Sequence, residues 1–174
     1  MLSRFPSRQS ILQVYAVIAV LLSGWTVTAF LWRLPAWLLL LSLGEIFTIF
    51  SYALAANFLE SLLILLSLLI AAALLPARLL RDDFVVRGAI LALGSIFVLM
   101  TFVGSHMLFG VGAGIGLYIA PVVAIGATAL LLGMAARWRF AVFSLSDRLT
   151  VFLFILIPLF VISSIHVMFR NLGG

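Results

Sequence analysis

The chain contains no cysteine and no lysine, and only five of its 174 residues are aspartate or glutamate. Without cysteine it has no disulfides, thiolate metal sites, iron–sulfur clusters or cysteine nucleophiles. Without lysine, Schiff-base chemistry and lysine-dependent phosphate binding are excluded. Charged residues make up 9% of the sequence, against about a quarter in an average soluble protein. No zinc-protease helix or pair of catalytic aspartates is present, and Ser105 beside His106 has no buried aspartate to orient the imidazole as a hydrolase triad requires.

What remains is oil. Hydrophobic residues account for 66% of the chain and the mean hydropathy is +1.39, more apolar surface than a water-soluble fold can hide. The formal charge of +5 comes from ten arginines, which fall between the apolar stretches. There they meet anionic headgroups rather than nucleic acid, so membrane lipid is the expected partner and nucleic acid is not. Basicity carried wholly by arginine suggests a GC-rich bacterial source, which makes the cytoplasmic (inner) membrane the expected location.

The longest nearly uncharged run, Leu34–Pro76, carries only Glu45 and Glu60. As one helix it would extend about 60 Å, twice the hydrocarbon thickness, so it must fold back. The polar interruption at Asn57 and Glu60 predicts the turn at Ala55–Glu60. Trp32, Arg33, Pro35 and Trp37 predict an interfacial connection just before this hairpin. The charged segments around Arg78–Arg87 and Arg137–Arg148 predict loops, with Ser144 or Ser146 capping the helix that follows the second. Asp82 and Asp83 lie among arginines and read as salt-bridged loop residues rather than a metal site. Gly88, Gly94 and Ser95 predict close helix packing, and Pro158 a kink.

The resulting expectation is an all-α, polytopic transmembrane helix bundle of about six helices with short loops. It forms a single integral membrane domain over 1–174, with spans near 11–32, 34–55, 58–75, 85–103, 112–136 and 150–169. Arg4, Arg8 and the apolar run to Leu22 have the outline of a signal peptide. Cleavage would leave Arg78, Arg81 and Arg87 on the translocated side, so the segment is read as a retained helix. Six spans put both termini outside and the arginine-rich loops in the cytoplasm.

Two polar groupings are candidates for function. Ser42, Glu45, Thr48 and Tyr52 recur at helical spacing, with Glu45 expected near mid-depth, where a carboxylate must be protonated or hydrogen-bonded. Asn57, Glu60, His106 and His166 are expected near the outer interface. Two histidines and a carboxylate there suit a metal, a haem or a proton relay. The alternate glycines Gly110, Gly112, Gly114 and Gly116 lack the strand that a phosphate-binding loop needs and read as a turn or as small residues that let two helices approach closely. No cofactor is assigned. The leading expectation is a non-enzymatic subunit, assembly factor or scaffold of a larger membrane complex, with other membrane subunits as partners. The alternatives are a small transporter or substrate-capture component using Glu45, and an intramembrane cofactor protein using His106 and His166.

Overall fold

The computed structural model describes residues 6–76, 80, 83–109 and 116–172 and, within these, the side chains outside 102–121. Among the described residues five helices follow one another: α1 (Arg8–Leu40), α2 (Leu43–Leu74), α3 (Phe84–Phe109), α4 (Gly116–Gly133) and α5 (Ala135–Leu172). The all-α class holds, with five helices in place of the expected six, and no strand occurs among the described residues. Among the described residues four helices are long and apolar enough to cross a membrane: α1, α2, α5 and the Phe84–Thr101 part of α3. Arg78, Arg81, Asp82 and the glycines at 110, 112 and 114 lie outside the described residues.

The hairpin turn falls elsewhere than expected. α1 opens on Ser7, whose hydroxyl accepts from the Ser10 N–H at 3.1 Å, and runs through the anticipated connection to Leu40 with Pro35 inside it. Proline removes one backbone hydrogen bond there. The rings of Phe30 and Trp37, one on each side of Pro35, meet edge to face at 5.4 Å, and Phe30 also packs on Phe50 of α2 at 4.6 Å. The chain then reverses at Leu41 and Ser42, and α2 continues unbroken through Asn57 and Glu60.

The physical reason lies in the two sequences. Ser42-Leu43-Gly44-Glu45 is a capping box, the Ser42 hydroxyl accepting from the Glu45 N–H while the Glu45 carboxylate accepts from the Ser42 N–H. Ala55–Glu60 contains neither glycine nor proline. Its asparagine bonds across to α1 and so does not compete with its own helix backbone.

The second expected loop is also helical. α4 ends at Gly133, Met134 makes the turn, and Arg137–Arg148 forms the first part of α5. Ser146 is an interior residue bonded to the Val142 carbonyl rather than a cap. No proline or glycine interrupts α5 before Pro158, and the opening alanines and arginines favour helix.

α1 is the hub of the bundle. Val14, Ile18 and Leu22 pack against Leu68 and Ala72 of α2 and Phe84, Ala92 and Ile96 of α3. On its other side, Tyr15, Ala16 and Ala19 meet Leu54 of α2 and Leu153 and Phe160 of α5. Small residues set the spacing, as expected for helices packing in lipid. A methyl group built on Gly88 would lie 3.3 Å from Val14, and one on Gly94 would collide with the Thr128 side chain of α4.

Replacing Gly94 with valine should therefore lower the unfolding free energy in detergent by about 1–3 kcal/mol through overpacking. Gly126→Ala, at a position with nothing within 4 Å, should change it little. Equal midpoints for the two variants would contradict this packing.

Cross-links between helices mark the ends of the bundle. At one end Gln13 of α1 donates to Asp147 of α5 at 3.0 Å, and Arg139 pairs with Asp83 at 3.1 Å. At the other, Arg170 and Asn171 of α5 bond to Thr48 and Tyr52 of α2. The start of α1 and the end of α5 thus lie at opposite ends.

Candidate functional site

The polar stripe of α2 is taken up by a helix cap and by bonds to α5. Ser42 and Glu45 are occupied with starting the helix, and the Ser42 N–H and hydroxyl donate to one Glu45 oxygen at 2.8 and 2.7 Å. Glu45 is exposed in the first turn, where a carboxylate also complements the helix dipole. Thr48 and Tyr52 reach α5, the first accepting from the Arg170 guanidinium and the second donating to the Asn171 side chain. The stripe is a capping device followed by a helix-to-helix clasp.

The second grouping divides as well. His166 of α5 packs its ring on Phe47 of α2 at 5.3 Å, and its buried Nε2 has no hydrogen-bond partner among the described residues. The side chain of His106 lies outside the described residues. Among the described residues no three His, Asp or Glu side chains converge as metal ligands.

Asn57 and Glu60 stay together but sit far from the hairpin turn. Asn57 is buried, accepting from the Thr26 hydroxyl at 3.0 Å and donating to the Leu22 carbonyl of α1 at 3.5 Å. Such a bridge is worth about 1 kcal/mol in a bundle of this kind and fixes the register of α1 on α2.

One turn further on, Glu60 is exposed, and among the described residues it has no hydrogen-bond or salt-bridge partner. It lines a lateral groove of about 600 Å³ between α1, α2 and α3, with Trp25, Thr26 and Asn57 beside it and Ile96, Leu99 and Met100 opposite. Along the axis Glu60 lies about 12 Å from Tyr52, at 1.5 Å per residue. A carboxyl group thus faces a groove whose lining is mostly apolar. This is the feature of the molecule best suited to binding.

No known protein supplies a function by likeness. No family model matches the chain, and no curated protein or solved structure is significantly similar to it.

The structure thus exchanges the two acids. Glu45, expected at mid-depth, caps a helix at the hairpin turn. Glu60, expected at an interface, lies near the middle of α2. Trp25 carries no local sequence signal, and nothing in the sequence pairs Asn57 with Thr26, 31 residues away. The available signal was the capping box at Ser42, which moves the turn and carries Asn57 and Glu60 into the span.

Proposed function

We propose that this chain is a non-enzymatic subunit of a larger complex in the cytoplasmic membrane of a bacterium. In this reading the groove beside Glu60 seats a transmembrane helix of a partner, which brings a basic or hydrogen-bond-donating side chain to the carboxylate. The observation that carries the reading is the exposed Glu60 in its apolar groove.

Depth follows from the clasps. The apolar stretch of α5 between Asp147 and Arg170 is about 30 Å long, one hydrocarbon thickness. Tyr52 shares a level with Asn171 at its upper boundary, so Glu60, about 12 Å below, lies close to the bilayer midplane. A carboxylate facing lipid there costs about 3 kcal/mol on insertion scales. A partner's cation or donor offsets that cost, and lipid tails do not.

The arginines support an orientation. Arg8, Arg87, Arg137, Arg139 and Arg148 belong to the end where α1 begins, and Arg33 and Arg170 to the other. By the positive-inside rule the N-terminal end faces the cytoplasm and the C-terminal end of α5 faces outside. This replaces the expectation of two outside termini, which required six spans.

Mild-detergent purification of the full chain should yield a stoichiometric complex. Glu60→Lys should break that complex through like-charge repulsion, and Glu60→Gln should weaken it, with both variants keeping the wild-type unfolding midpoint. Wild-type protein that migrates only as a monomer, or a complex indifferent to Glu60→Lys, would refute the reading.

The volume of the groove favours one other use, because about 600 Å³ is also the size of a small-molecule pocket. A transporter or capture protein for a small cationic solute would lose uptake in vesicles on Glu60→Gln. It would retain uptake on Glu45→Gln, since Glu45 belongs to the capping box.

A further inference from the structure

A second groove, independent of Glu60, lies at the arginine-rich end of the bundle. It has a volume of about 550 Å³ and runs between the first turns of α1 and the Asp147–Pro158 part of α5. Its mouth is polar, formed by Gln9, Gln13, Asp147 and Thr150. Its body is apolar and includes Leu153 and Ile157.

The mouth is held in place by a buried group. Gln13 is only 2% exposed, and its side-chain amide donates to Asp147 Oδ1 at 3.0 Å. The Thr150 hydroxyl is already committed to the Asp147 backbone carbonyl. A carboxylate accepts only, and with two oxygens it has about four acceptor positions. Among the described residues Gln13 alone donates to this one, and Asp147 has no salt-bridge partner. The ligand group that suits the mouth is therefore a cationic donor.

Arg8 and Arg148, next in sequence to Gln9 and Asp147, are exposed at this end of the bundle, and the length of the groove restricts the ligand further. From Thr150 to Pro158 the groove follows α5 for about 12 Å, within the roughly 15 Å depth of a single leaflet. Ammonium, phosphate and one acyl chain, in that order from water to oil, match the groove.

The geometry points to a binding site for an amine-headed phospholipid of the phosphatidylethanolamine type, its ammonium on Asp147 and one acyl chain lying along Leu153 and Ile157. A charge-assisted hydrogen bond from the ammonium to the carboxylate supplies the headgroup preference.

The test is native mass spectrometry of the full-length protein in detergent, titrated separately with phosphatidylethanolamine, phosphatidylcholine and phosphatidylglycerol of the same acyl chains. Phosphatidylethanolamine should be retained best, by about tenfold over phosphatidylglycerol. Phosphatidylcholine, whose quaternary ammonium is cationic but has no N–H, should fall between them. Asp147→Asn keeps an oxygen for Gln13 while removing the charge, and should abolish the preference without moving the unfolding midpoint. Ile157→Trp fills the groove and should reduce retention of all three lipids. Equal retention of the three by the wild type, an unchanged preference in Asp147→Asn, or undiminished binding in Ile157→Trp would each overturn the assignment.

Discussion

A cysteine placed at Gly44 should react with a membrane-impermeant maleimide, whereas one placed at Ala56 should not, from either side of the membrane. The chain has no native cysteine, so each variant carries a single reporter. Gly44 lies in the first turn of α2 with nothing within 4 Å of a built Cβ, so the substitution fits there. It stands about 12 Å beyond Tyr52, on the watery side of the clasp to Asn171. Ala56 is exposed on the protein surface yet lies about 6 Å inside that level, so lipid and not packing withholds it from water. The two variants should differ in an all-or-none way in intact vesicles and label equally once dissolved in denaturing detergent. Labelling at Ala56 before denaturation would restore a fold-back at Ala55–Glu60 and remove Glu60 from mid-depth.

Phe160→Ala should produce the largest loss of stability from any single truncation. Phe160 is fully buried, enclosed by Tyr15, Ala16, Ala19 and Leu54, with its ring 5.6 Å from that of Phe58. Core Phe→Ala changes cost about 3–5 kcal/mol in water-soluble proteins, as a sum of a transfer part and a cavity part. Lipid tails solvate a separated helix about as well as the protein interior does, so the transfer part shrinks and the cavity part remains. The expected loss is therefore close to the lower figure, about 3 kcal/mol. Phe154→Ala on the same helix, at an 83% exposed position, should cost little. Unfolding in mixed micelles with increasing denaturing detergent reads both values, and similar midpoints for the pair would show that the α1–α2–α5 core is not packed as described.

The solvent and the helical class were legible in the sequence, because composition alone decides both. The run 150–169 lies within α5 and 85–103 within α3. The breaks were harder to place. Asn57 and Glu60 looked like a turn because polar groups are costly in lipid, yet Asn57 avoids that cost by bonding to Thr26 and Leu22, 31 and 35 residues away. Pro35 resembled a helix start, and its place inside α1 depends on aromatic contacts that reach α2. Arg137–Arg148 looked like a loop because charge marks the membrane edge, but charge is compatible with a helix that continues past that edge. The Gln13–Asp147 pair, separated by 134 residues, had no local signature at all. Only Ser42 with Glu45 was a readable signal that was interpreted by its periodicity instead of by its capping pattern.

The lengths of α1 and α2 have a consequence for the surrounding lipid. With 33 and 32 residues they are about 50 and 48 Å long, against roughly 30 Å of hydrocarbon. Tilting alone would require about 53°, outside the 0–40° range that membrane helices adopt. Leu39, Leu40 and Leu43 at the hairpin turn are widely exposed, and they stand with Gly44 beyond the level of Tyr52. The hairpin should therefore project past the hydrocarbon edge, its leucines resting among the headgroups while Gly44 stays open to water.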